Sequence, residues 1–370
     1  MNLVLTEEQE ELRASVRRFL NDRSPMSRVR HVIETPEGYD RALWDRMAAD
    51  LSLQGMAVPD TWGGAGFGQV EMSIVMEELG RALVPSPFLA SAVLASNALL
   101  ALDDEDAKRE LLPSIAAGRT IATLAAAEDG GGWDGTEVAT TAALDGEGWR
   151  LHGTKTLVVD GLNADLLVVV ARAGDELGFF IVEGDAPYLN RTRLAGLDLT
   201  RQLASLEFFG TAARRLVSED PAGALSRALD LSSVALAAEQ LGGLEHCLDT
   251  SVDYAKARAQ FGRPIGSFQA VKHLCADMHV AMELARSVLR YAAWAADEAP
   301  EELPAAAALA RAYCSEAFFK VAADTIQVHG GIGFTWEHDA HLYYRRAKSS
   351  ELLIGGPVQV REQLAQRLGV

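Results

Sequence analysis

Arg258-Ala-Gln-Phe-Gly-Arg-Pro-Ile-Gly-Ser-Phe-Gln269 and Gln327-Val-His-Gly-Gly-Ile-Gly-Phe334 are the stretches on which the reading of this chain turns. In the first, Tyr254 to Arg258 reads as the end of a helix, and Gly262, Pro264 and Gly266 make a rigid turn before the next one. An arginine fixed at such a turn suits a pyrophosphate, because guanidinium offers a planar, permanently charged fork of donors. Taken singly, it reads equally well as a surface arginine capping a helix. In the second stretch Gly330 and Gly331 permit positive φ or a close backbone approach, and Gln327 can hydrogen-bond a polar ligand.

Outward from these stretches, a helical period runs from Pro221 to Leu368. Before it, from about Thr120 to Val217, the pattern changes to short runs rich in Val, Ile and Phe, such as Leu166–Ala171, Gly178–Val182 and Leu203–Phe209. Turn clusters at Asp145–Gly148 and Glu183–Asp185 separate them, which predicts a small, mainly antiparallel β domain. The N-terminal third is helical again. Thr6-Glu-Glu-Gln9 reads as a capping box, Trp44, Met47 and Leu51 recur at helical spacing, and Pro85 and Pro87 break the run before another helix of which Val93 to Leu102 is part. Pro59-Asp-Thr-Trp-Gly-Gly-Ala-Gly66 lacks the strand-then-helix setting of a dinucleotide fingerprint and reads as a loop. The order helix, sheet, helix predicts an α+β protein with domains at 1–119, 120–219 and 220–370.

Composition narrows the function. The formal net charge of −18 argues against nucleic acid, whose phosphates need clustered cations. It also means that an anionic thioester would need a local basic patch, for which Arg263, Arg345, Arg346 and Lys348 are candidates. Cys247, Cys275 and Cys314 are too far apart for a metal or redox pair and fit a reducing cytoplasm. No apolar run reaches transmembrane length. His273 and His329 have no second ligand at metal spacing, so no metal is expected.

Both glycine-bearing stretches, with Arg345-Arg-Ala-Lys-Ser-Ser-Glu-Leu-Leu-Ile-Gly-Gly356, resemble the acyl-CoA dehydrogenase family. So does the Pro59–Gly66 turn. The resemblance implies an N-terminal helical domain, a middle β-sandwich or barrel-like domain and a C-terminal four-helix bundle. It also implies FAD, desaturation of an acyl-CoA thioester, electron-transfer flavoprotein as acceptor, and a dimer or tetramer. By the same resemblance Arg258, Gln260, Phe261, Phe268, Gln269, Gln327, Gly330 and Gly331 contact a FAD held mainly by a neighbouring subunit.

The chain departs from the family where the flavin ring and the base belong. The ring loop Thr-Glu-Pro-Gly-x-Gly-Ser-Asp is here Ala127-Glu-Asp-Gly-Gly-Gly-Trp-Asp134. In Lys155-Thr-Leu-Val-Val-Asp-Gly161, Leu157 replaces the aromatic residue and Val159 the hydroxyl residue near the ring. The two positions where the family places its glutamate base hold Ile354 and Ser232. Glu239 lies two helical turns beyond Ser232, about 10 Å away by helix rise, and is the candidate for a relocated base. Three readings follow. In the first, the chain is a non-catalytic subunit of a heteromeric acyl-CoA dehydrogenase that completes a partner's FAD site. In the second it is a homomeric dehydrogenase with another base, and in the third a flavin-free scaffold or acyl-CoA-binding protein.

Overall fold

A computed structural model describes residues 3–130, 132–146 and 148–370. Gly131 of the ring-type loop and Glu147 of the Asp145–Gly148 turn lie outside them. The N-terminal helices are α1 (Glu7–Arg23), α2 (Met26–Val32), α3 (Arg41–Leu51), α4 (Gln69–Arg81), α5 (Ser96–Ala101) and α6 (Glu105–Ala116). The capping box forms as read, with Thr6 and Gln9 each accepting from the other's backbone N–H. Ahead of α5 the chain makes a π-helical stretch over Leu89–Ala95, so the helix starts earlier than Val93 and is wound wider at first.

The middle region carries β1 (Ala122–Ala125), β2 (Thr141–Asp145), β3 (Gly148–Val159), β4 (Leu166–Ala173), β5 (Glu176–Glu183), β6 (Leu189–Arg193) and β7 (Leu203–Arg215). The order β1-β4-β2-β3-β7-β5, with β4 also pairing β5, closes the sheet into a small barrel. The pairings are mainly antiparallel, but β1 runs parallel to β4. The unbroken apolar run of β4 has a physical cause. Leu166, Val168 and Val170 point into the core shared with the helices, whereas Leu167, Val169 and Ala171 fill the barrel.

Helix α7 (Pro221–Ala257) follows, then the two-stranded hairpin β8 (Ala259–Gln260) and β9 (Arg263–Pro264). After it come α8 (Gln269–Glu298), α9 (Leu303–His329), α10 (Ala340–Leu352) and α11 (Pro357–Leu368). Helices α7 to α10 form the C-terminal bundle, and α7 touches α4, α8, α9 and α10. Helices α4 and α7 cross backbone to backbone. A Cβ at Gly80 would overlap the Glu239 carbonyl, and one at Gly242 the Glu77 carbonyl. Among the described residues no helix is long and apolar enough to cross a membrane.

Candidate functional site

At the C-terminal end of α7, Arg258 leaves the helix and the chain turns through Phe261 (φ +52°) and Gly262 (φ +78°). Two consecutive positive φ values make the tight turn that a two-residue hairpin requires. They leave Phe261 92% exposed. Arg263 lies over the Phe268 ring, 4.1 Å from its centroid, while Arg258, Gln260 and Gln269 are exposed. The end of α9 is brought to the same place. Ser251 donates to Thr325 at 3.1 Å, and the Tyr254 and His329 rings sit 4.4 Å apart. Gln327, Gly330 and Gly331 are therefore exposed beside the hairpin. Gly330 holds φ +62°, and neither glycine has any heavy atom within 4 Å of where a Cβ would stand. His329 is buried and bonded to the Thr325 carbonyl, not placed for metal or acid–base work.

The other end of α7 is built differently. Leu229 and Ile354 line a cavity of about 330 Å³ with Trp133, Asp230, Ser233 and Arg311. Leu229 and Arg258 are 29 positions apart along one continuous helix and its cap, so the two ends are separated by roughly 44 Å of helix rise. Trp133 is only 4% exposed and belongs to one apolar core with Ala127, Val159 and Ile354. Leu157 packs against that core from a bulge in β3, at φ +52°. Ile354 has φ +57°, a conformation that a β-branched residue adopts only under constraint. Arg311 supplies the constraint by donating to the carbonyls of Ser350 and Leu353 just before it.

A neighbouring cavity of about 260 Å³ runs along the ring-type loop past Glu128, Asp129, Asp134 and Glu137. Buried Lys155 is committed to Glu128 at 2.6 Å and to the Ala126 carbonyl, and burial pulls it down to about 8. Glu128 also accepts from the backbone of Ala139 and Thr140, which fixes the loop.

Glu239 is not part of the Ile354 cavity. Its carboxylate meets Arg201 at 2.5 Å and Arg346 at 3.1 Å, and Arg346 reaches on to Asp198 at 2.7 Å. Burial alone would raise this carboxyl, but the two guanidiniums override it and hold it at about 2. The space left there is about 20 Å³, room for about one water. A carboxylate so held is a poor proton acceptor with no room for a substrate, and the relocated-base reading of Glu239 fails on both counts. Ser232 turns its hydroxyl to the Ala228 carbonyl and Asn97. The expected basic patch does not assemble either: Arg346 is inside this network, Lys348 is tied to Glu351, and Arg345 covers Trp336.

Comparison with known proteins accounts for the whole architecture. Models of the N-terminal, middle and C-terminal domains of acyl-CoA dehydrogenase match residues 6–119, 123–210 and 223–369. The chain belongs to the acyl-CoA dehydrogenase family. It is 37% identical over 358 residues to acyl-CoA dehydrogenase IpdE2 of Mycobacterium tuberculosis, covering 97% of this chain and 96% of that protein. Among solved structures it resembles the Tcur3481–Tcur3483 steroid ACAD, with TM-score 0.89, 34% identity and 98% of each chain covered. It also resembles the ChsE4–ChsE5 complex from Mycobacterium tuberculosis, with TM-score 0.90, 32% identity and 100% and 99% coverage.

Proteins of this family are FAD-binding oxidoreductases, and the two ends of α7 can be tested against that cofactor. The hairpin end fits: it offers exposed arginine, glutamine and aromatic side chains around glycines with open space over them. The Ile354 end does not fit. Trp133 lines its cavity, Leu157 and Val159 offer no polar side-chain atom to a ring, and the adjoining groove is lined by Asp129, Asp134 and Glu137 together with Glu128, which is paired with Lys155. Sequence reasoning missed Trp133, although it stands where the family's loop has serine. It also missed Asp230, which is buried in the Ile354 cavity and pushed up to about 6 by that burial, against the pull of Arg367 at 2.8 Å.

Proposed function

We propose that this chain is a non-catalytic subunit of a heteromeric acyl-CoA dehydrogenase that completes the FAD site of its partner. The observation that carries the reading is the disparity within one chain. The hairpin end is open around Gly330 and Gly331, while the ring side lacks polar side chains at Leu157 and Val159 and is faced with acids. The roughly 44 Å between them exceeds the reach of one extended FAD, so the hairpin end serves a flavin whose ring lies on another chain. Bound there, FAD would supply the acceptor for hydride from the substrate's β-carbon. Arg258 and Gln327 would hold its phosphates, and Phe261 would cover it from solvent. Removal of the α-proton falls to the partner, because Ile354 offers no basic atom and Glu239 is locked between arginines. Its resemblance to the Tcur3481–Tcur3483 steroid ACAD favours a bulky, steroid-type acyl thioester as substrate of the assembly.

Purifying the chain alone and with its partner dehydrogenase, and recording visible spectra, tests this. The expected result is a colourless chain and a yellow complex. A yellow homomer bleached by acyl-CoA overturns it and favours a second reading with Asp230 as base, since Asp230 shares the Ile354 cavity and titrates near 6. Asp230→Asn then abolishes bleaching with flavin retained.

A further inference from the structure

Three stacked rings tie the Gly330–Gly331 turn to the helices around it. Tyr254, near the end of α7, lies 4.4 Å from His329 at the end of α9, and His329 lies 4.3 Å from His338, just ahead of α10. The chain between the two histidines carries Gly330 and Gly331, so this column sets where the turn stands. Arg30 of α2 clamps the far side of the same stretch. It donates to the Trp336 carbonyl at 2.9 Å and pairs with Asp339 at 2.6 Å.

His338 holds the start of α10 through one atom. Asp339 stands at the N-cap of α10 but makes no side-chain cap bond, and its carboxylate pairs with Arg30. The Ala340 N–H instead donates to His338 Nδ1 at 3.1 Å. A backbone N–H only donates, so this bond requires an unprotonated Nδ1 and places the ring's proton on Nε2. Protonation ends the bond. It also puts a positive charge at a helix N-terminus, where the backbone dipole disfavours it. Of the charged neighbours, His329 and Arg30 oppose the imidazolium and Asp339 favours it, while His341 and Arg345 of α10 contact Trp336. Burial first, and then His329, hold His338 below the ordinary 6.5.

We propose that His338 is a positioning residue for the Gly330–Gly331 turn, and that its protonation releases the turn and with it the flavin. The latched turn holds the proton less tightly than a free imidazole does, so acidification below about 6.5 favours the released one. The flavin part rests on the reading that this turn contacts the FAD of a heteromeric complex; the latch itself is a property of this chain.

Two measurements test it, each comparing the parent with His338→Asn, whose amide oxygen takes the place of Nδ1 and accepts from Ala340 at any pH. Hydrogen exchange over residues 330–342 of the chain alone, corrected for the intrinsic pH dependence of exchange, reads the latch. Protection should fall about tenfold between about pH 7.5 and about pH 5 in the parent and stay level in His338→Asn. His338→Ala, which removes the acceptor, should show the low protection at both ends of that range. In the yellow complex, flavin fluorescence should report release about tenfold faster at the acid end for the parent, and a change under about twofold for His338→Asn. Level protection in the parent, or an equal fall in parent and His338→Asn, overturns the latch. A fall in protection without faster flavin release overturns its role in holding flavin. A complex that never turns yellow defeats the heteromer reading, and exchange in the chain alone still decides the latch.

Discussion

The two ends of α7 are made from the same helix and do opposite things. At Arg258 the chain leaves the bundle through a glycine-containing hairpin whose side chains face solvent, with Gly330 and Gly331 beside it. At Leu229 the helix lines a cavity of about 330 Å³ with Trp133, Ile354 and a buried arginine. A cradle works by omitting side chains where a ligand lies, and the Ile354 end instead surrounds its space with apolar and charged ones. The difference teaches that the end carrying Ile354 and Ser232 departs from the family at several residues, not at a single one.

The largest effect expected at the closed end comes from Glu239→Ala. It leaves Arg201 and Arg346 buried without their shared counter-ion, and unfolding by denaturant should show a loss of about 3–5 kcal/mol. A variant as stable as the parent would mean that the network does not hold the barrel to the bundle. At the open end, Arg258→Ala in the reconstituted complex should weaken flavin retention by about 10- to 100-fold, the worth of a charge-assisted hydrogen bond. Flavin fluorescence released on dilution measures it. Leu157→Ala in the same assay should change nothing; a loss there would break the contrast between the ends.

His246, stacked on Tyr343 between α7 and α10, sharpens the comparison through pH. Burial, with help from Arg81, pulls it to about 4, below its ordinary 6.5. The unfolded chain therefore takes up the proton first, and stability falls as pH drops from about 6.5 to 4. The loss should be about 1–3 kcal/mol, and His246→Phe should flatten it in melting curves taken across that range. The smallest effect is expected of Ile354→Glu. Restoring a carboxyl to an end without polar ring contacts should give the chain alone no measurable acyl-CoA oxidation, and a clear gain with bound flavin would overturn the account of a ring side that holds no flavin.

Much of the fold was legible because it rests on local rules. The Thr6–Gln9 capping box, the start of α7 at Pro221 and its end at Arg258 follow from capping and turn chemistry. The helix after Pro87 was legible from Val93 on, but its π-helical winding over Leu89–Ala95 was not, because such a stretch has no periodic signature of its own. The hairpin and Gly330–Gly331 were legible as exposed turns for the same local reason: glycine and positive φ go together. Asp230 and Arg311 were not, since a lone Asp or Arg inside a helical pattern reads as surface.

By itself the sequence determined the three-part order of elements, the family, and the absence of a glutamate at Ile354 and Ser232. Those are matters of period, turn residues and identity at a position. Only the tertiary structure decided that Glu239 is a buried ion-pair anchor and that Trp133 is buried beside the Ile354 cavity. It alone set the Arg258 hairpin and that cavity at opposite ends of one helix. Burial, ion pairing and distance arise between residues far apart in the chain. Glu239 meets Arg201 and Arg346 only after barrel and bundle have packed, and that packing turns a candidate base into a fixed charge.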